Sequence, residues 1–260
     1  MIKKLNVKHF FLTRWIISFF DVIRFSSIML FPHYILDFLK YLKLSNKEKI
    51  SIWDSYPCLI DRGRHPFDSH YFYQAYWLAR NINKYKSKTH MDIGSNILMI
   101  GVLSGFVDTT FIDYRSLKIS TEGFKYKQGD ILHLPFPSDS VASISSLHVI
   151  EHVGLGRYGD ILNPQGSELA AKELCRILKP GGLLYISVPI GVEKVCFNAH
   201  RIFSPKTVLN MFPKLILIDF SFVDDLGAYY NNSSIEFAEK CEYACGMFVF
   251  RKKKIEKNYE

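Results

Sequence analysis

The chain has 260 residues, 48% of them hydrophobic, and a formal net charge of +8. That length supports one large domain with an extension and excludes any need for a second core, while the basic balance permits attraction to nucleic acid, anionic lipid or anionic sugar without choosing among them. The cysteines Cys58, Cys175, Cys196, Cys241 and Cys245 have no paired spacing that frames a zinc site or a disulfide scaffold, and they read as reduced thiols of a cytoplasmic protein.

Residues 1–44 form an apolar, aromatic extension in which Arg14, Ser18, Asp21 and Arg24 recur at helical spacing. The pattern predicts a helix with a wide apolar face and a narrow charged stripe. Pro32 is expected to break it, and a second helix is expected over residues 33–42 with Asp37 and Lys40 on its polar side. No charge-free run reaches the roughly eighteen residues of a membrane span, and no small-residue cleavage site marks a signal peptide. Two uses of the apolar face stay open: peripheral contact with a membrane surface, helped by Lys3, Lys4, Lys8 and Arg14, or packing on the main domain.

Residues 45–88 form an aromatic-rich helical cap. Tyr71, Phe72, Tyr73, Tyr76 and Trp77 crowd one helical stretch ending near Asn83, which is either the lid of a pocket or a core-facing helix. The basic turn Arg62-Gly63-Arg64-His65 faces an anionic substrate or is a plain surface loop.

Residues 89–252 alternate short apolar strands with helices. Strands are predicted at residues 90–93, 109–112, 126–129, 141–146, 183–188, 215–222 and 244–250, which gives a doubly wound, Rossmann-like α/β sheet. The last two strands lack a strong helix between them, so the sheet is expected to close with an antiparallel strand. A helix at residues 167–178 is expected to pack Leu169, Leu174, Ile177 and Leu178 on the sheet. The basic tail, residues 253–260, reads as a solvated end.

The most informative stretch follows the strand Val141-Ala142-Ser143-Ile144. If the chain turns helical after Leu147, His148, Glu151 and His152 project from one face. They would then stand beyond a strand's carboxyl end, where open α/β sheets bind ligands. Two imidazoles and a carboxylate there suit metal binding or proton transfer; the plainer alternative is a strand cap with the other side chains in solvent.

Four motifs carry a family resemblance: Asp92-Ile93-Gly94-Ser95, Phe111-Ile112-Asp113, Gly129-Asp130-Ile131 with Leu134-Pro135-Phe136, and Leu178-Lys179-Pro180-Gly181-Gly182-Leu183 running on to Pro189. In order and spacing they resemble the class I S-adenosylmethionine-dependent methyltransferases. More narrowly, the run from Ser145 through His148, Glu151 and His152 to Asp160 looks like the domain of unknown function 268 family, whose bacterial members are often associated with surface-polysaccharide synthesis.

The resemblance implies that Asp92, Gly94 and Ser95 meet the methionine part of S-adenosylmethionine, Asp113 the ribose, and Asp130 and Ile131 the adenine, with Leu147 completing the lining. Asn96 and Leu98 stand where the family pattern has its second and third glycines, which places side chains near the methionine tail. A second likeness is to small-RNA 2′-O-methyltransferases, whose metal ligands match His148, Glu151, His152 and His200. Such a donor set suits a divalent transition metal better than magnesium; without metal, His148 or His152 serves as general base. Arg157, Tyr158, Asp160 and Arg201 are expected to face the acceptor, Arg201 as an anion contact. The expected protein is thus a cytoplasmic methyltransferase, resting on the inner membrane if residues 1–44 are interfacial, that acts on a hydroxyl of a saccharide or other small molecule. The alternatives are a catalytically degenerate binding protein and a metal-dependent RNA 2′-O-methyltransferase, the latter without a visible basic, aromatic groove for nucleic acid.

Overall fold

The structure is a computed structural model that describes residues 30–45, 50 and 67–254. Met1–Phe67 and Asp68–Glu260 form two compact units. In the first, helix α1 spans Phe31–Leu44. Pro32 lies in its first turn, where the missing N–H has no helical partner to lose and the fixed φ suits the helix. The proline therefore opens this helix. The stretch before it and the Arg62–His65 turn lie outside the described residues. Among the described residues no helix is long and apolar enough to cross a membrane.

The second unit begins with helix α2, Ser69–Tyr85, capped by the Asp68 carboxylate, which accepts from Tyr71 N at 3.2 Å. Its buried positions Gln74, Trp77, Leu78, Asn81 and Ile82 fall on one helical face. Of the two readings of this aromatic segment, the core-facing one holds for that face, while Tyr71, Phe72 and Tyr76 on the other remain exposed.

There follow β1 (Thr89–Ile93), α3 (Ile97–Leu103), β2 (Asp108–Asp113), β3 (Phe124–Gln128), β4 (Val141–Leu147), α4 (Gly166–Ile177) and β5 (Leu178–Gly191). After these come β6 (Lys194–Cys196), β7 (His200–Ile202), α5 (Pro205–Met211), β8 (Leu215–Val223), β9 (Tyr229–Tyr230), α6 (Ile235–Ala238) and β10 (Tyr243–Lys252). The main sheet has the order β3-β2-β1-β4-β5-β10-β8-β9, and β6 and β7 form a separate pair. The strands β3, β2, β1, β4 and β5 run parallel, and β10 lies antiparallel between β5 and β8. All seven expected strands are present, the last one antiparallel as anticipated. The additional β6, β7 and β9 are two or three residues long, too short for an alternating pattern to register.

One boundary differs in kind. β5 starts at Leu178, and Lys179-Pro180-Gly181-Gly182 is an irregularity inside it, with a register shift against β4 between Val141 and Ser143. Gly181 has φ +77°, and a Cβ on Gly182 would lie 2.8 Å from Lys179 O, so the motif is a bulge that only glycines fit.

Apolar side chains cover both faces of the sheet. Ala170, Leu174 and Ile177 of α4 and Val208 of α5 pack with Ile144, Ile186 and Phe248; Trp77 and Leu78 of α2 and Ile100 and Leu103 of α3 pack with Tyr185, Met247 and Val249. Leu169 departs from expectation: it is only half-buried and borders the cavity described below. Among the described residues, Cys175, Cys196, Cys241 and Cys245 are free thiols. Ile144 is fully buried at the centre of the sheet, so Ile144→Ala is expected to cost about 2–5 kcal/mol of unfolding free energy, measured by urea denaturation.

Candidate active site

The sheet changes direction between β1 and β4, and at such a switch point the loops beyond the strand ends part and leave a crevice. A cavity of about 600 Å³ opens there, bordered by Gly94, Asp113, Asp130, Ile131, His148 and His152.

The turn after β1 is fixed from below. Asp92 is fully buried and accepts from Ser95 N at 3.1 Å, from Ser95 Oγ at 2.7 Å and from Ser145 Oγ. Ser95 Oγ in turn accepts from Leu147 N at 2.9 Å. Asp92, Ser95 and Leu147 therefore brace the turn from beneath and do not border the cavity, a correction to their expected direct contact with a cofactor. Gly94 does border it; it has φ +72°, and a Cβ there would sit 3.1 Å from Val149 Cγ1. Asn96 caps α3, its side chain accepting from Leu98 N at 2.9 Å, and Leu98 is 78% exposed. Neither borders the cavity, so the two missing glycines leave it unobstructed.

At the end of β2, Asp113 reaches the cavity already engaged. Arg115 donates to it from N at 2.8 Å, Nε at 3.0 Å and Nη2 at 2.9 Å. Asp130 beyond β3 borders the cavity beside Ile131, its Oδ1 accepting from Leu132 N at 2.9 Å.

After β4 the chain does not become helical, because His148 takes a left-handed conformation, φ +54°. The following turns still bring the trio together: His148 Nδ1 and His152 Nε2 lie 3.4 and 3.7 Å from the same Glu151 oxygen, Oε1. Glu151 is 0% exposed, and among the described residues neither carboxyl oxygen has a hydrogen-bond partner. Burial pushes its pKa up to about 8, and burial holds His148 down at about 3 and His152 at about 4. Near neutral pH the site is thus a carboxylic acid between neutral imidazoles.

The other ring nitrogens are committed, His148 Nε2 to Cys245 Sγ at 3.3 Å and His152 Nδ1 to Ala199 O at 2.5 Å. His200, at the start of β7, stacks edgewise on His152 at 6.4 Å and faces Tyr243 at 5.7 Å. The four residues converge, yet among the described residues no group of three or more His, Cys, Asp or Glu side chains could hold a metal ion. The expected metal site, and with it the footing for metal-dependent RNA methylation, is corrected accordingly.

Other expected acceptor contacts turn out to be braces. Arg201 is 7% exposed and donates to Val153 O at 2.7 Å, Ser167 Oγ at 3.1 Å and both Asn163 O and Pro164 O at 3.3 Å, holding the loop after Glu151 in place. Asp160 both braces and borders the cavity: one of its carboxylate oxygens accepts from Gly154 N at 2.7 Å. Tyr158 does border the cavity, with the Arg115 and Arg157 guanidinium groups 5.1 and 5.3 Å from its ring. His70 and Cys245 escaped the sequence reading as site residues, and Tyr71 entered it only through the lid alternative for its helix. The rings of His70 and Tyr71 stand 6.4 and 5.8 Å from His148, and only the docking of α2 brings them there.

The fold is shared with solved structures. The YcgJ protein of Bacillus subtilis matches with a TM-score of 0.51 at 14% identity, over 71% of this chain and 100% of that one. A candidate sarcosine dimethylglycine methyltransferase from Galdieria sulphuraria matches with a TM-score of 0.50 at 14% identity, over 71% of this chain and 87% of that one. The fold is that of the class I S-adenosylmethionine-dependent methyltransferases. No curated protein sequence matches the chain. It belongs to the family described as "Caenorhabditis protein of unknown function, DUF268", whose model matches residues 100–252.

Glu151 yields a test by linkage. Its folded pKa of about 8 exceeds the ordinary 4.5, so between those values the folded state holds the proton that the unfolded state releases. The stability contributed by the neutral acid is present below about pH 4.5 and is lost as pH rises toward 8. Glu151→Gln is therefore expected to flatten the fall in unfolding free energy by on the order of 1 kcal/mol per pH unit in this window, read from urea midpoints at pH 5, 7 and 9; parallel curves for both proteins would contradict a neutral Glu151.

Proposed function

We propose that the protein is an S-adenosylmethionine-dependent methyltransferase acting on a hydroxyl of a saccharide or other small acceptor, with a role in surface-polysaccharide synthesis. The observation that carries this reading is one cavity that joins Gly94, Asp113 and Asp130 to His152. Its volume of about 600 Å³ lies in the usual range for small-molecule sites, about 300–1,000 Å³. The residues present fit the donor: a turn without a Cβ for close approach, and a carboxylate beyond each of β2 and β3.

When bound, the donor supplies a methyl group on a cationic sulfur. Gly94 would adjoin its methionine part, Asp113 would accept from the ribose hydroxyls, and Asp130 and Ile131 would hold the adenine. Asp113 Oδ2 accepts one bond from Arg115 and keeps a lone pair for this purpose.

Proton removal falls to His152. The Ala199 carbonyl takes the proton of Nδ1, which leaves the lone pair on Nε2. Its depressed pKa keeps His152 neutral at physiological pH, ready to accept the hydroxyl proton. Glu151 beside Nε2 strengthens this base once ionised, because a carboxylate stabilises the imidazolium that forms. Tyr158, on the same cavity, packs its ring edgewise against His152 at 5.8 Å and so helps to hold the base in place. In this reading the protein works in the cytoplasm, and residues 1–44 supply any contact with the inner membrane through their apolar face and basic residues.

A second reading, binding without catalysis, draws on the Arg115–Asp113 pair, which already occupies the ribose partner. Calorimetry with S-adenosylmethionine separates the two. The parent is expected to bind, and Asp113→Ala to lose at least about tenfold in affinity, since a hydrogen bond to a charged group contributes about 1.5–3 kcal/mol. No binding by the parent would refute the donor site. In turnover assays the rate is expected to rise with pH toward a plateau above about pH 8, the value to which burial raises Glu151, and Glu151→Gln should remove that rise. A rise that persists in the variant would take Glu151 out of the mechanism.

A further inference from the structure

Beneath β1 and β4 runs an unbroken row of polar side chains that the reaction above does not use. Ser87 Oγ donates to Ser143 Oγ at 3.2 Å, Ser143 Oγ lies 2.8 Å from His90 Nδ1, and His90 Nε2 lies 2.8 Å from Ser145 Oγ. Ser145 Oγ donates to Asp92. His90, Asp92, Ser143 and Ser145 are buried, while Ser87, just before β1, is half-buried. The row thus leads from the amino-terminal edge of the sheet to the carboxylate under the Gly94-Ser95 turn.

Its hydrogen bonds can be completed in two opposite directions, with the Tyr185 hydroxyl beside Ser87 and Ser143 as a side branch. With Asp92 ionised, Ser87 donates to Ser143, Ser143 to His90 Nδ1, His90 Nε2–H to Ser145, and Ser145 to Asp92. With Asp92 protonated, every donor reverses and the imidazole changes tautomer. One proton passes between Ser87 and Asp92 in that switch, and no heavy atom has to move.

We propose that this row lets Asp92 follow the charge of the methyl donor: a cationic sulfonium in the cavity drives a proton from Asp92 through Ser145, His90 and Ser143 to solvent at Ser87, and the neutral thioether left by methyl transfer draws one back. The proposal rests on the donor site proposed above. The proton balance closes, because the carboxylic acid becomes a carboxylate plus one released proton and the return step consumes one.

The surroundings of Asp92 favour such a switch. Ser95 on the turn and Ser145 on β4 bind it, His90 of β1 reaches it through Ser145, and Asp113 of β2 is the charged group acting on it, with the same sign. Among the described residues no cation offsets the burial, which raises Asp92 to about 7 against its three hydrogen bonds. His90, packed 6.0 Å from the Tyr185 ring of β5, is held neutral by burial at about 3, so it relays a proton without storing one. Ser95 donates to Asp92 through both N and Oγ and carries the change of charge to the turn that borders the cavity.

The consequence is discrimination between donor and product by charge. If the sulfonium selects the ionised form, affinity for S-adenosylmethionine should rise about tenfold between pH 6 and 8, following the ionised fraction of a group that titrates near 7, while affinity for S-adenosylhomocysteine should not. Calorimetry of the full chain at pH 6.5, in two buffers of different ionisation enthalpy, counts the protons. The parent is expected to release most of one proton with S-adenosylmethionine and none with S-adenosylhomocysteine, and Asp92→Asn to release none with either. Ser145→Ala keeps Asp92 but interrupts the row, and should slow proton release in a stopped-flow indicator assay at least tenfold. Equal release with both ligands, release that survives Asp92→Asn, or an unchanged rate in Ser145→Ala overturns the proposal. Binding of neither ligand by the parent would overturn the donor site, and with it the charge sensing. An infrared pH titration of the unliganded protein then decides the row on its own: a carboxylic acid band titrating near neutral pH and absent from Asp92→Asn upholds proton exchange, and an Asp92 ionised from pH 5 to 9 refutes it.

Discussion

Everything around the cavity depends on one join, the Ser95 side chain between the ends of β1 and β4. Its hydroxyl donates to Asp92 and accepts from the backbone N–H of Leu147, so two strands that diverge into their loops are held at a fixed separation. Above the join, Val149 lies so close to Gly94 that a Cβ there would press on it at 3.1 Å, and His148 enters the left-handed region. That conformation is costly for a residue with a side chain and persists where the surroundings determine it. Here the determinants include the His148 N–H on Ser187 O at 2.8 Å and its imidazole on Cys245. The turn then delivers Glu151 into an enclosed space beside two imidazoles.

Burial works in opposite directions on the two kinds of group at this place. It lifts the carboxyl and lowers the histidines, so the cluster is most stable uncharged, where polar groups without partners cost least. Arg201, whose guanidinium could have neutralised Glu151, is spent on loop carbonyls. The consequence is a cluster whose proton affinity is set first by its enclosure, with Arg157 acting on Glu151 in the opposite direction and more weakly, and such a shifted acid suits proton transfer near neutral pH.

The strand sequence was legible because strands buried on both faces of a sheet, parallel or antiparallel, read as short, nearly continuous apolar runs; β1, β2, β4, β8 and β10 fall within two residues of their expected bounds. The convergence of His148, Glu151, His152 and His200 was also accessible, since loops after adjacent parallel strands open on one edge. What stayed hidden depends on partners remote in sequence. Nothing near Arg201 marks it as a brace, because the carbonyls it holds belong to another loop. Asp92 and Ser95 resemble ligand-binding residues until Ser145 and Leu147 are seen to take their polar atoms. The contribution of α2 to the site could not be read either, as helical spacing distinguishes a buried face from an exposed one but not what either face meets.

The placement of β10 bears on how the chain is made. This strand is the last described element, yet it lies inside the sheet and satisfies both β5 and β8. During synthesis from the amino end, β5 and β8 are complete while the strand between them is still missing, and each then presents an open row of backbone donors and acceptors beside apolar side chains such as Ile186 and Phe220. Such edges recruit other chains. The nascent protein therefore passes through a window of vulnerability to aggregation that closes only when residues 243–252 leave the ribosome, and a chain cut short before Tyr243 would remain in it.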